Sequence, residues 1–90
     1  MARLNEAEID ERLRSLRGWK QDGLKIRKEY KHADFAAAIA FVNRVAGLAE
    51  AADHHPDILI NYDRVTLTLT SHDAGGLTER DFRLAAGIDA

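Results

Sequence analysis

From Val65 to Thr70 the chain alternates without a break, valine and leucine on one face and threonine on the other. Successive side chains on a strand point to opposite faces, so this segment predicts a strand with one apolar and one polar side. An apolar face of that kind has to be covered by a second layer, and the strand needs neighbours for its backbone donors and acceptors. The first neighbour is close by in sequence. Asp57 to Asn61 reads as a short strand containing Ile58, Leu59 and Ile60, and a tight connection through Asn61, Tyr62, Asp63 and Arg64 turns the chain back as a hairpin. A second hairpin is predicted between Trp19 and Lys31. There an Asp22-Gly23 turn separates Trp19 and Lys20 from Leu24, Ile26 and Tyr30, which alternate with charged residues.

Three segments have helical character instead. Asn5 can cap a helix over residues 6–17 with Glu8 as its reciprocal partner, Leu4 and Ile9 forming a hydrophobic staple and Gly18 following as a stop. A long helix is expected from Ala33 to about Ala51, with Asp34 near its start and Pro56 ending the helical region. Its stripe of Phe35, Ala38, Ile39, Val42, Val45, Ala46 and Ala49 is widened by Ala37, Phe41 and Leu48. A helix lying on one sheet needs an apolar stripe only a little over ~100° wide, so the excess predicts a second partner, either another helix or another subunit. Gly47 within that stripe suggests close backbone approach. Thr78 caps a last helix carrying Phe82, Leu84, Ala85 and Ile88. The order αββαββα predicts an α+β two-layer sandwich: a four-stranded antiparallel sheet with helices on one face, in a single domain spanning residues 1–90.

Composition adds a constraint on stability. Fifteen of the ninety residues are alanine and none is cysteine, so the core is thin and no disulfide or thiolate cluster can staple it. Self-association is the expected remedy, as a homodimer or homotetramer through the long helix and the sheet edge. The net charge of -2 lacks the basic excess of a nucleic-acid binder. Arg12, Arg14 and Arg17 follow Glu6, Glu8, Asp10 and Glu11, the order that complements a helix dipole. No uninterrupted apolar run approaches the ~18 to 20 residues of a membrane span, and residues 1–11 lack the apolar region of a signal peptide. A cytoplasmic protein without a membrane or direct nucleic-acid partner is therefore expected.

Three of the four histidines sit at junctions. His54 and His55 lie between the long helix and the third strand, and His72 lies just beyond the fourth. Antiparallel pairing through a tight turn sets the start of one strand beside the end of the other, so the three imidazoles should converge. Glu50, one helical turn before His54, and Asp81, in the first turn of the last helix, can reach the same end. His32 is outside this group and reads as a surface residue. Histidine titrates near neutrality, so a pair across a pocket can donate and accept protons at physiological pH. The same groups could hold a metal, but they do not follow the H-E-x-x-H pattern, and adjacent His54 and His55 would face apart on an extended chain. Ser71 beside His72 lacks the surroundings of a nucleophile elbow.

Glu50-x-x-x-His54-His55-Pro56, with Tyr62 after five residues, His72 after nine more and Asp81 after a further eight, resembles the signature of the pterin-4a-carbinolamine dehydratases. Gly18-Trp19, the segment from Phe35 to Glu50, and Gly75-Gly76-Leu77-Thr78 extend the resemblance over almost the whole chain. Two stretches depart from it: Tyr30-Lys31-His32-Ala33 is more polar than expected, and no tryptophan follows Pro56. The resemblance implies dehydration of 4a-hydroxytetrahydrobiopterin to quinonoid dihydropterin, the recycling step after aromatic amino-acid hydroxylases, without metal or organic cofactor. It implies His54, His55 and His72 as catalytic residues, with Glu50, Pro56, Tyr62 and Asp81 binding substrate or supporting the imidazoles. Members of the family also act as non-catalytic binding modules, dimerization cofactors of a homeodomain transcription factor, which is the alternative function for this chain.

Overall fold

Val65, Leu67 and Leu69 are fully buried, while Thr66 and Thr68 between them keep partial access to solvent. The alternation in the sequence thus becomes the two faces of the central sheet. The structure, a computed structural model, describes residues 2–90. Its elements follow the order α1 (Glu6–Arg14), β1 (Lys20–Asp22), β2 (Lys25–Lys31), α2 (Phe35–Ala52), β3 (Asp57–Asn61), β4 (Arg64–Leu69), a 3₁₀ turn (His72–Ala74) and α3 (Glu79–Asp89). The four strands form one antiparallel sheet in the order β1-β2-β4-β3. The fold is the expected α+β sandwich. Ile9, Ala38, Val45, Phe82, Leu84 and Ile88 from the helices meet Ile26, Val65, Leu67 and Leu69 from the sheet in one core.

Element ends differ from the sequence expectations in ways local chemistry explains. Helix α1 has the anticipated capping box between Asn5 and Glu8 but stops at Arg14, because Ser15 returns its N–H to the carbonyls of Arg12 and Leu13. Leu16 still reaches the core from the turn that follows. In the first hairpin Asp22 pairs with Lys25, so the two-residue loop is Gly23-Leu24 rather than Asp22-Gly23. Gly23 takes the positive φ of 63° that such a loop favours. Helix α2 starts at its Asp34 cap, whose side chain accepts from the Ala37 N–H at 2.8 Å. It ends well before Pro56, at a left-handed Asp53 with φ 49°.

Only Ala38, Val45 and Ala49 of α2 are buried. Phe35 is half exposed, and a side chain at Gly47 would meet nothing within 4 Å, so the close approach expected there does not occur within one chain. Helix α2 is also long and apolar enough to cross a membrane by length and composition alone. Counting uninterrupted apolar runs overlooked this, since Asn43 and Arg44 divide the helix. Here α2 lies on the sheet, and Arg44 donates to the Ile88 carbonyl at 2.6 Å, which ties it to α3. Strand β3 is exposed along its whole length, with Leu59 the most open of its apolar residues.

The last residue of α3 anchors that helix to the first hairpin. Asp89 accepts from Trp19 Nε1 at 2.8 Å, Tyr30 Oη at 2.5 Å and Lys28 Nζ at 3.1 Å. Burial, and then the Asp89 carboxylate, push the Tyr30 phenol well above its ordinary value of 10.0. The folded protein holds this proton more tightly than the unfolded chain does. The resulting stability is complete below pH 10.0 and is lost as the pH rises beyond it. Thermal melts of Tyr30→Phe are therefore expected to decline less steeply than the parent above that pH, and equal slopes would count against the linkage.

Candidate active site

The end of α2 places the first histidine. With Asp53 left-handed, the His54 N–H reaches back to the Ala49 carbonyl at 3.1 Å and the Asp53 N–H to that of Glu50 at 3.3 Å. These are the two bonds of a Schellman motif, and they turn the chain sharply enough to bury His54 behind the helix end. His55 follows on the exposed side and pairs with Glu50, itself exposed on the last turn of α2.

The start of α3 builds the support beneath His54. Thr78 and Asp81 form a capping box, in which Asp81 Oδ2 accepts from the Thr78 N–H at 2.9 Å. The same oxygen accepts from Ser71 Oγ at 2.9 Å, and Oδ1 receives His54 Nε2 at 2.5 Å. Asp81 has no accessible surface. A carboxylate oxygen accepts, so this contact favours the His54 tautomer that carries its proton on Nε2. Ser71 is buried as well, with its Oγ 2.8 Å from Thr78 Oγ1, so every polar group in this small network has a partner.

His72 is held from the other side. The β3 to β4 register pairs Asp57 with Thr68, which brings the start of one strand beside the end of the other. Beyond Thr70 the loop closes on itself, Ser71 N–H donating to the Gly76 carbonyl and Gly76 N–H to that of Ser71, at 3.1 and 3.3 Å. Gly75 ends the 3₁₀ turn in the left-handed region at φ 73°. Arg3 crosses this loop, donating to the Gly75 carbonyl at 3.2 Å with its side chain packed over Gly76. The Arg80 guanidinium donates to Asp73 Oδ1 at 2.5 Å and holds that carboxyl below its ordinary value of 3.8.

These supports frame a cleft of about 300 Å³ lined by His54, His55, His72, Thr70, Asp53 and Asp73. The structure therefore brings together the three histidines singled out in the sequence. Glu50 stands behind His55, Pro56 leads from His55 into β3, and Asp81 lies fully beneath His54 with no edge open to a ligand. Tyr62 is not brought to the cleft. It is exposed in the turn between β3 and β4, at a left-handed φ of 55° and the whole length of the hairpin away. His32 is also at that far end, where its backbone N–H donates to the Asp63 carbonyl and its ring packs 4.8 Å from that of Phe41. Sequence reasoning passed over Thr70, Asp53, Asp73 and Arg80, and weighed Ser71 only as a nucleophile. The local signs that Asp81 faces inward were its helical spacing from the apolar Leu77, Leu84 and Ile88 and the Thr78-x-x-Asp81 pattern of a capping box.

Comparison with known proteins bears on the whole chain. Residues 2–90 match the family model described as Pterin 4 alpha carbinolamine dehydratase. A protein of Roseiflexus sp. (strain RS-1), provisionally named pterin-4-alpha-carbinolamine dehydratase, is 60% identical over 87 residues, covering 97% of this chain and 94% of the relative. Its namesake in Chloroflexus aurantiacus is 60% identical over 89 residues, covering 99% and 96%. Among solved structures, the transcriptional coactivator/pterin dehydratase from Brucella melitensis superposes with a TM-score of 0.93 at 38% identity, covering 97% of this chain and 95% of that one. A pterin dehydratase-like protein described as a RuBisCO assembly factor in the alpha-carboxysome aligns with a TM-score of 0.67 at 27% identity, covering 80% and 86%.

Proposed function

We propose that this chain, which belongs to the pterin 4 alpha carbinolamine dehydratase family, removes water from 4a-hydroxytetrahydrobiopterin to give quinonoid dihydropterin. The observation that carries this reading is the meeting of His54, His55 and His72 around one cleft, with His54 tied to a buried carboxylate. In the reaction the C4a–O bond breaks and its electron pair leaves with the hydroxyl oxygen, which takes up a proton and departs as water. The ring nitrogen beside C4a loses its proton, and the freed electron pair forms the new C=N bond. One proton is given and one is taken, so no oxidant or reductant is required. An imidazole can both give and take a proton, so a pair of them suits both transfers.

We assign these transfers to His54 and His72, and to His55 the orientation of the substrate. Asp81 fixes the tautomer of His54 from below, and Glu50 steadies His55. Pro56 sets the direction in which the chain leaves the cleft. Residues 1–90 act as one domain of this kind, in the recycling of pterin oxidised by an aromatic amino-acid hydroxylase. The deciding assay measures carbinolamine breakdown with a chelator present. Acceleration by the protein supports the metal-free dehydratase, and loss of acceleration on chelation would point to a metal. No acceleration under either condition would favour the second reading, a protein-binding module of the dimerization-cofactor or coactivator type. That reading is supported by the apolar surface left open on α2 and β3.

The same open surface supports self-association. An unpaired, apolar edge strand is a template for pairing with another chain, and an isologous contact needs only one such patch per copy. Antiparallel pairing of two β3 strands centred on Leu59 would set Tyr62 of one copy beside Pro56 of the other, and so near that copy's cleft. Sedimentation at micromolar concentration is expected to give a dimer or tetramer, and a stable monomer would refute this.

A further inference from the structure

His54 lines a second and larger space besides the histidine cleft. Between the last turns of α2 and the length of α3 lies a hollow of about 430 Å³. Leu48, Ala52 and Leu84 give it apolar walls, and its charged lining residues are Arg80 and Arg83, with no carboxylate among them. The spacing on α3 explains the pairing of charge with grease. Arg80, Arg83, Leu84 and Gly87 fall at i, i+3, i+4 and i+7, so one helical face presents two guanidiniums, one leucine and a glycine that leaves room.

The two arginines are incompletely used by the protein. Arg83 is exposed and pairs with no carboxylate among the described residues. Arg80 spends one terminal nitrogen on Asp73, while its Nε is buried without a hydrogen-bond partner among the described residues. A guanidinium presents a planar fork that matches carboxylate or phosphate oxygens. A concave, mostly apolar space of this volume with a few converging polar groups is the usual form of a small-molecule site.

We infer that this hollow binds a small organic anion: an apolar or aromatic body carrying a carboxylate or phosphate, with the body against Leu48, Ala52 and Leu84 and the charge on Arg80 and Arg83. The site is separate from the histidine cleft and does not rest on the dehydratase reading. His54 lines both spaces, so a ligand in the hollow touches a ring that the cleft also uses.

Methyl and histidine-ring NMR on the full chain tests this without any turnover. The probes are benzoate, phenyl phosphate and neutral benzamide, applied to the parent and to Arg83→Gln. Saturable shifts at the Leu48, Ala52 and Leu84 methyls are expected with at least one of the two anions. Binding should weaken about tenfold or more for benzamide and for Arg83→Gln, the loss expected when one charge-assisted contact is removed. Tighter binding of benzoate than of phenyl phosphate would assign the head group as carboxylate, and the reverse as phosphate. Three results would overturn the inference: silent methyls with both anions, equal affinity for benzamide or in Arg83→Gln, or shifts confined to His55, His72 and Thr70. Probe shifts at these methyls that vanish as the chain self-associates would overturn it too, because a second copy of the chain would then be the occupant.

Discussion

Replacing His72 with alanine is expected to lower the protein-dependent rate of carbinolamine dehydration by about 10² to 10⁴, the usual contribution of one positioned general acid or base. The fold should survive the change. His72 is exposed on its 3₁₀ turn, and the loop that carries it is closed by backbone bonds between Ser71 and Gly76 together with the Arg80–Asp73 pair. None of those contacts uses the imidazole. A truncation at such a position costs no more than about 0.5 kcal/mol, so the melting curve should stay close to that of the parent. A folded variant of near-parental rate would remove His72 from the chemistry. A variant that failed to fold would contradict the description of the loop.

Asp81→Asn is expected to do the opposite, striking stability and rate together. The carboxylate has no exposure and accepts from His54 Nε2, Ser71 Oγ and the Thr78 N–H. An amide offers one acceptor oxygen and two unwanted donors, so in either orientation at least one buried donor faces an NH₂ group. Leaving such a group unpaired costs about 1 to 3 kcal/mol, and more where the lost acceptor carried charge. A loss near 3 kcal/mol should lower the melting temperature of a chain this size by about 12 to 24 °C. The rate should fall as well, because an amide no longer sets the His54 proton on Nε2. A drop under about 4 °C, equivalent to less than ~1 kcal/mol, would mean that the network does not carry this part of the fold.

The contrast between the two residues marks how far the sequence could be read. Both were legible as candidates, but for different reasons. His72 follows from strand alternation and a tight turn, which are local and repeat every two residues. Asp81 appeared as a first-turn acid able to reach the cleft. Its actual place is beneath His54, fixed by contact between groups 27 residues apart in sequence. Arg80 and Asp73 were invisible for the same reason, since a charged residue in a first turn or a loop reads as solvated until something packs against it. Tyr62 shows the converse. Its position in a spacing pattern suggested the cleft, and the length of the hairpin carries it away.

Periodicity, capping residues and turn glycines by themselves determined the elements of this chain, their order, the sheet's two faces and the end of the sheet where three histidines meet. Those features depend on backbone geometry within a window of a few residues, and such windows are written directly in the sequence. Tertiary structure alone decided which carboxylate is sealed under which imidazole and that Gly47 faces open space. It also decided that two arginines converge on a hollow shared with His54. Burial and side-chain pairing are properties of segments brought together by folding, and no local window contains both partners.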